Sequence, residues 1–145
     1  QPARADHRVG VLVIDDPRVV GEVMIGLPGG VSDPGEQDWA AVGARELSEE
    51  TGYIAREMIP VGTCYPNPAT QDNQVHFYLA LGCAPMFEQE LDPNEEIEVL
   101  EMPYADFLRY EDMDLQHAIH AAGLFYTERY FAANPGKRPP QKRKP

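Results

Sequence analysis

In Arg45-Glu46-Leu47-Ser48-Glu49-Glu50-Thr51-Gly52 three carboxylates stand at relative positions 0, 3 and 4. On a helix of 3.6 residues per turn, Glu46, Glu49 and Glu50 therefore share one face. Like charges so spaced repel by roughly a few tenths of a kcal/mol per pair, so helix stability alone does not explain the arrangement. A divalent cation reverses the sign of that interaction. Asp38 to Thr51 reads as the helix, with Gly52 at the C′ position that favours a left-handed backbone. Glu22 to Leu27 reads as a short strand leading into Pro28-Gly29-Gly30, and Asp33-Pro34-Gly35 adds a turn. Two glycines between a strand and a helix allow the backbone to approach a bound phosphate closely.

Around this unit the chain alternates between strand and helix signals. Val9 to Ile14 reads as a buried strand ended by Asp15-Asp16-Pro17. Tyr53 to Cys64 and Gln74 to Ala84 read as strands flanking a polar, proline-bearing loop, Pro66 to Asn73, and Ile97 to Met102 as a further strand. From Asp114 to Phe131, the apolar residues Leu115, Ile119, Ala122, Phe125 and Tyr126 fall near helical spacing, which predicts a helix with one face on the sheet. The pattern is α/β, a sandwich with helices on both sides of a sheet.

The length, 145 residues, and a hydrophobic content of 43% suit one domain with an ordinary core, spanning 1–133. The stretch 134–145 is basic and proline-rich and is expected to be disordered and solvated from Lys137 onward. A net charge of −12 disfavours a nucleic-acid partner, while a small anion can be held through a metal. No apolar run of about 18 residues is present and Gln1 to Arg8 has no signal-peptide layout, so a cytoplasmic protein without a membrane partner is expected. Cys64 and Cys83 are too few for a zinc site or a disulfide framework and read as buried, reduced thiols. His76, His117 and His120 have no acidic or cysteine partners at metal spacing and read as packing or surface residues; Trp39 reads as an anchor of the helix on the sheet.

Gly30, Glu36, Arg45, Glu46, Leu47, Glu49, Glu50 and Gly52 together resemble the Nudix box: glycine, five residues, glutamate, seven residues, then Arg-Glu-aliphatic-x-Glu-Glu-x-Gly-aliphatic. Two positions depart from it. Eight residues separate Glu36 from Arg45, which leaves open whether Glu36 is the box glutamate, and Tyr53 fills the last aliphatic position.

The resemblance implies a Nudix-type α/β/α sandwich around a mixed β-sheet, and Mg²⁺, or Mn²⁺ in its place, held by Glu46, Glu50 and Glu49 with Gly30 beside them. By the same resemblance Arg45 orients the glutamates and Gly29 and Gly30 shape the substrate loop. Pro68, fifteen residues after Tyr53, is similar to a proline of the ADP-ribose pyrophosphatase branch. Asp92-Pro93-Asn94-Glu95-Glu96-Ile97 resembles that branch's acidic loop, which makes Glu95 or Glu96 the candidate general base and Glu49 the fallback. The implied activity is hydrolysis of a diphosphate linkage in ADP-ribose or a nucleoside diphosphate sugar, by a homodimer. A nucleoside triphosphate or dinucleoside polyphosphate hydrolase, and a non-catalytic nucleotide sensor, are the competing readings.

Overall fold

A computed structural model describes residues 8–15, 23–108 and 118–139. Its strands are β1 (Arg8–Asp15), β2 (Val23–Gly26), β3 (Tyr53–Ile54), β4 (Glu57–Cys64), β5 (Val75–Leu81), β6 (Ala84–Pro85) and β7 (Glu96–Pro103). Its helices are α1 (Trp39–Thr51), α2 (Tyr104–Phe107) and α3 (Ala118–Ala133), followed by a 3₁₀ turn over Pro135–Lys137. The class is α/β, as expected. Among the described residues the strands form three sheets, β2-β1-β7, β3-β6 and β4-β5, with every pairing antiparallel.

Two segments that read as single strands are each divided. Between Ile54 and Glu57 the chain turns, with Arg56 N–H donating to Leu81 O at 3.0 Å, and Gly82, at φ +64°, separates β5 from β6. Both interruptions lie at the same end of the β4–β5 hairpin.

This hairpin is the middle layer, with α1 against one face and α3 against the other. The alternation of side chains along a strand makes this possible. On β5, His76 stacks on Trp39 of α1 and Tyr78 lies near Gly43, while Phe77 packs on Tyr126 of α3 with ring centroids 5.3 Å apart. On β4 a register shift between Pro60 and Gly62 exchanges the faces, so Met58 meets α1 and Gly62 meets the ring of Tyr126.

Glycine also sets how closely α3 approaches. A Cβ on Gly123 would lie 3.1 Å from both Leu27 Cδ1 and Phe77 Cδ1. The buried side of α3 runs through Gly123 and Phe131, whereas Phe125, expected on the packing face, is exposed under the guanidinium of Arg129. Helical periodicity located the helix and placed Tyr126 on the sheet, but it set Phe125 on the packing face and passed over Gly123, because a glycine contributes no apolar signal. Residues 114–117, including Leu115 and His117, fall outside the described residues.

The core lies at the α2–α3 end. Tyr104, Phe107 and Phe131 are buried there, and Leu79, Leu100 and Leu124 pack around them. Phe131 is only 1% exposed, and burying such a side chain contributes about 1.5–3 kcal/mol. Arg138 folds back onto this core: it pairs with Glu128 at 2.8 Å and its guanidinium sits 5.4 Å from the Phe131 ring centre. The expectation of a solvated stretch from Lys137 is therefore corrected at Arg138, whose planar cation finds both a carboxylate and an aromatic face. Residues 140–145 fall outside the described residues. Cys83 is exposed and Cys64 half-buried, a second correction, since the turn at Gly82 carries Cys83 out of the strand.

Candidate active site

The box helix is bounded by local chemistry. Asp38 caps its start, its carboxylate accepting from Ala41 N–H at 3.1 Å. Gly52 ends it at φ +74°, its N–H donating to Ser48 O at 2.8 Å, and a Cβ there would collide with Phe87 O. Within these bounds Glu46, Glu49 and Glu50 share a face as their spacing predicts.

Arg45 gathers the acids around it. Its Nη1 lies 3.2 Å from both Glu46 Oε1 and Glu49 Oε2, and its Nη2 lies 3.2 Å from Glu36 Oε2. The extra residue before the helix has not displaced Glu36. Pro34 and Gly35, the latter at φ +91°, form a tight turn in which Glu36 N–H donates to Asp33 O at 3.1 Å. Glu36 Oε2 in turn accepts from Asp33 N–H at 2.6 Å, which holds the carboxylate toward Arg45. Among the described residues Arg45 Nε is the buried side-chain polar atom left without a partner.

The two loop glycines act differently. Gly29 N–H donates to Glu50 Oε2 at 3.0 Å, and Gly30 leaves room for the Glu46 carboxylate, which packs directly over its Cα. Glu50 is 5% exposed, and burial, opposed by the Gly29 donation and reinforced by Glu46, Glu95 and Glu49, pushes its carboxyl up to about 7. Burial likewise raises Glu46, against the lowering effect of Arg45 and with the help of Glu49 and Glu95.

Glu95 is thus the acidic-loop residue that bears on the box. It sits in a turn closed by its N–H donating to Asp92 O at 2.9 Å, and its carboxylate accepts from Asp92 N–H at 3.1 Å. Glu96 is the first residue of β7, opposite Asp15 of β1. Pro68 is exposed in the turn where Asn67 O accepts from Thr70 and Gln71 N–H.

A strap that the sequence reading missed fastens the C-terminal end of α1. Glu90 N–H donates to Glu49 O at 2.8 Å, Gln89 Nε2 to Glu50 O at 2.6 Å, and the Met86 and Phe87 N–H groups to Gly52 O. The last turn of a helix leaves carbonyls without intrahelical partners, and residues 86–90 supply them. Such a loop has no periodicity by which to recognise it. A surface depression of about 790 Å³ beside the strap touches Thr51, Gln89 and Glu101, while a smaller one of about 260 Å³ is lined by Arg45 and Glu49 of the box together with Glu90 of the strap.

The donor set is hard oxygen throughout, with Glu50 a buried carboxylate partnered by a single backbone N–H. Among the described residues no three acidic, histidine or cysteine side chains already converge on one point. Mg²⁺ does not need them to, since it keeps several waters and usually binds through one or two carboxylates plus substrate phosphates. The chemistry of these donors fits such an ion.

The fold and this box agree with comparison to known proteins. A NUDIX domain model matches residues 3–124, and the chain belongs to the Nudix family. Over 108 residues it is 35% identical to the ADP-ribose pyrophosphatase of Bacillus subtilis (strain 168), a match covering 72% of this chain and 57% of that protein. The chain thus spans little more than half the length of that relative. In fold it is similar to a crystal structure of an ADP compounds hydrolase, with a TM-score of 0.71 at 22% identity over 90% of this chain and 76% of that one.

Proposed function

We propose that this domain hydrolyses the diphosphate linkage of a nucleoside diphosphate derivative, ADP-ribose or a nucleoside diphosphate sugar, to a nucleoside monophosphate and a sugar phosphate. The observation that carries the reading is the buried Glu50, tied to Gly29 N–H next to the Gly30 over which the Glu46 carboxylate packs, two acids whose charges repel unless a cation joins them. Glu46 and Glu50, with Glu49 and the Gly30 backbone beside them, would hold Mg²⁺, or Mn²⁺ in its place. When bound, that ion neutralises charge on the phosphate oxygens and acidifies water.

The protein's own groups do the rest. Gly29 N–H and the Gly30 backbone fix the Glu50 and Glu46 carboxylates, and Arg45 keeps Glu46, Glu49 and Glu36 together. Glu95 takes the proton of the water whose oxygen attacks phosphorus, and the bridging P–O bond breaks toward the departing phosphate. For ADP-ribose this gives AMP and ribose 5-phosphate. Pro68 shapes the substrate loop in this reading, and the subfamily resemblance carries a homodimer with it.

The test is a panel of ADP-ribose, nucleoside diphosphate sugars, dinucleoside polyphosphates and nucleoside triphosphates, assayed with Mg²⁺ and with chelator. Metal-dependent turnover of the first two groups is expected. Turnover of triphosphates alone would overturn the substrate assignment, and binding without turnover of any member would leave a nucleotide sensor.

A further inference from the structure

We propose that Gln89 is a positioning residue for this hydrolysis: its side-chain amide joins the helix that carries Glu46, Glu49 and Glu50 to the strand that follows Glu95, and so keeps the two sets of carboxylates in register. The proposal rests on the hydrolase reading above. Gln89 Nε2 donates to Glu50 O at 2.6 Å and to Ile97 O at 3.1 Å. A primary amide has two N–H donors, one for each carbonyl. Glu50 is a metal-site acid and Ile97 lies two residues after Glu95, so one side chain touches the backbone of both halves of the site.

The rest of the strap cannot substitute. The Met86, Phe87 and Glu90 N–H groups all reach back to α1 or its capping Gly52, and among these strap bonds only those of Gln89 also reach β7. The Asp92–Glu95 turn is closed on itself by its own two hydrogen bonds, which shape it but do not place it against the helix. Reaction rates respond steeply to such placement, since a displacement of about 1 Å can lower turnover by about 10²-fold. Gln89 as a whole is exposed, so replacing it leaves no hole in the core.

The test compares Gln89→Leu, which keeps the bulk and loses both donors, with Gln89→Asn, whose shorter amide cannot span both carbonyls. Tyr104→Phe, which removes a buried hydrogen bond to Glu128 far from the box, serves as the control for general destabilisation. Steady-state kinetics on the full chain, well below each melting temperature, is paired with hydrogen exchange of residues 92–97. The expected result is kcat about 10-fold or more lower in Gln89→Leu with KM within about twofold, and faster exchange at 92–97, while Tyr104→Phe keeps its kcat. Normal kcat in Gln89→Leu, or an equal loss in Tyr104→Phe, overturns the proposal. If Gln89→Leu does not fold, Gln89→Asn is judged by the same criteria. If the wild type turns over no diphosphate, the hydrolase reading fails, and exchange alone decides the bridge: unchanged protection at 92–97 in the variant removes it.

Discussion

The carboxylate of Glu46 occupies the space that a side chain at residue 30 would need: a Cβ built on Gly30 would lie 2.2 Å from Glu46 Cδ. Gly30→Ala must push that carboxylate aside. The chain should still fold, with turnover down by about 10²-fold and Mg²⁺ bound more weakly by calorimetry. Gly29→Ala should cost far less, because its side chain meets open space and the N–H to Glu50 is retained. Equal losses in the two variants would show that the Gly30–Glu46 contact is immaterial.

Glu50→Gln separates metal chemistry from helix structure. The folded-state carboxyl is raised from an ordinary 4.5 to about 7, so its contribution to stability is fully present below pH 4.5 and lost as pH rises through 7. The loss amounts to at most about 3 kcal/mol. In chelator, Glu50→Gln should therefore match or exceed wild-type stability at pH 8 and vary less between pH 5 and 8 in urea titrations. Activity should collapse. Mg²⁺ at a hundredfold excess over its dissociation constant should stabilise the wild type by about 2.7 kcal/mol and the variant much less. An equal shift in both would place the metal elsewhere.

Between the two acids of the loop, Glu95 should matter and Glu96 should not. Glu95→Gln is expected to lower kcat by roughly 10²-fold, with Glu96→Gln near wild type. The reverse order would move the base to β7, and normal rates in both would return the role to Glu49.

Arg138, in the basic C-terminal stretch, docks on the fold through Glu128 and Phe131. Arg138→Ala removes a partly exposed ion pair and a ring contact, together about 1 kcal/mol, or roughly 3 °C in a chain of this size. Truncation after Asn134 should cost at least as much in differential scanning fluorimetry. Burial pushes the Glu128 carboxyl up, but the hydrogen bonds from Arg138 and Tyr104 outweigh it and hold it below the usual range. That pair's stability is present above the ordinary carboxylate range and lost on acidification, so the wild-type advantage should shrink near pH 3. Unchanged melting in both variants would show that the contact contributes nothing.

Much of the box was legible because its determinants are local. Asp38 and Gly52 bound α1 through chemistry confined to a few neighbouring residues, and the phase of Glu46, Glu49 and Glu50 follows from helical geometry alone. What depended on distant partners was not legible. That the charge of Glu95 reaches Glu46 and Glu50 depends on where the chain enters β7, and the Gln89 amide reaches carbonyls 39 and 8 residues away along the chain. Phe125 was misplaced because the closest approach of α3 is at Gly123, and Cys83 because a left-handed Gly82 ended its strand early.

The turn at Asp33–Glu36 implies an asymmetry in where this chain can absorb length changes. Glu36 meets Arg45 across space, so a residue gained or lost in the loop ahead of Trp39 leaves the helical phase intact and the two side chains can still find each other. One residue gained between Glu46 and Glu50 would instead rotate everything downstream by about 100°, carrying Glu50 out of its contact with Gly29 and Gly52 away from Phe87. Searching for related chains by fixed spacing across the loop is therefore the weaker filter, and the helical phase from Arg45 to Gly52 the stronger one.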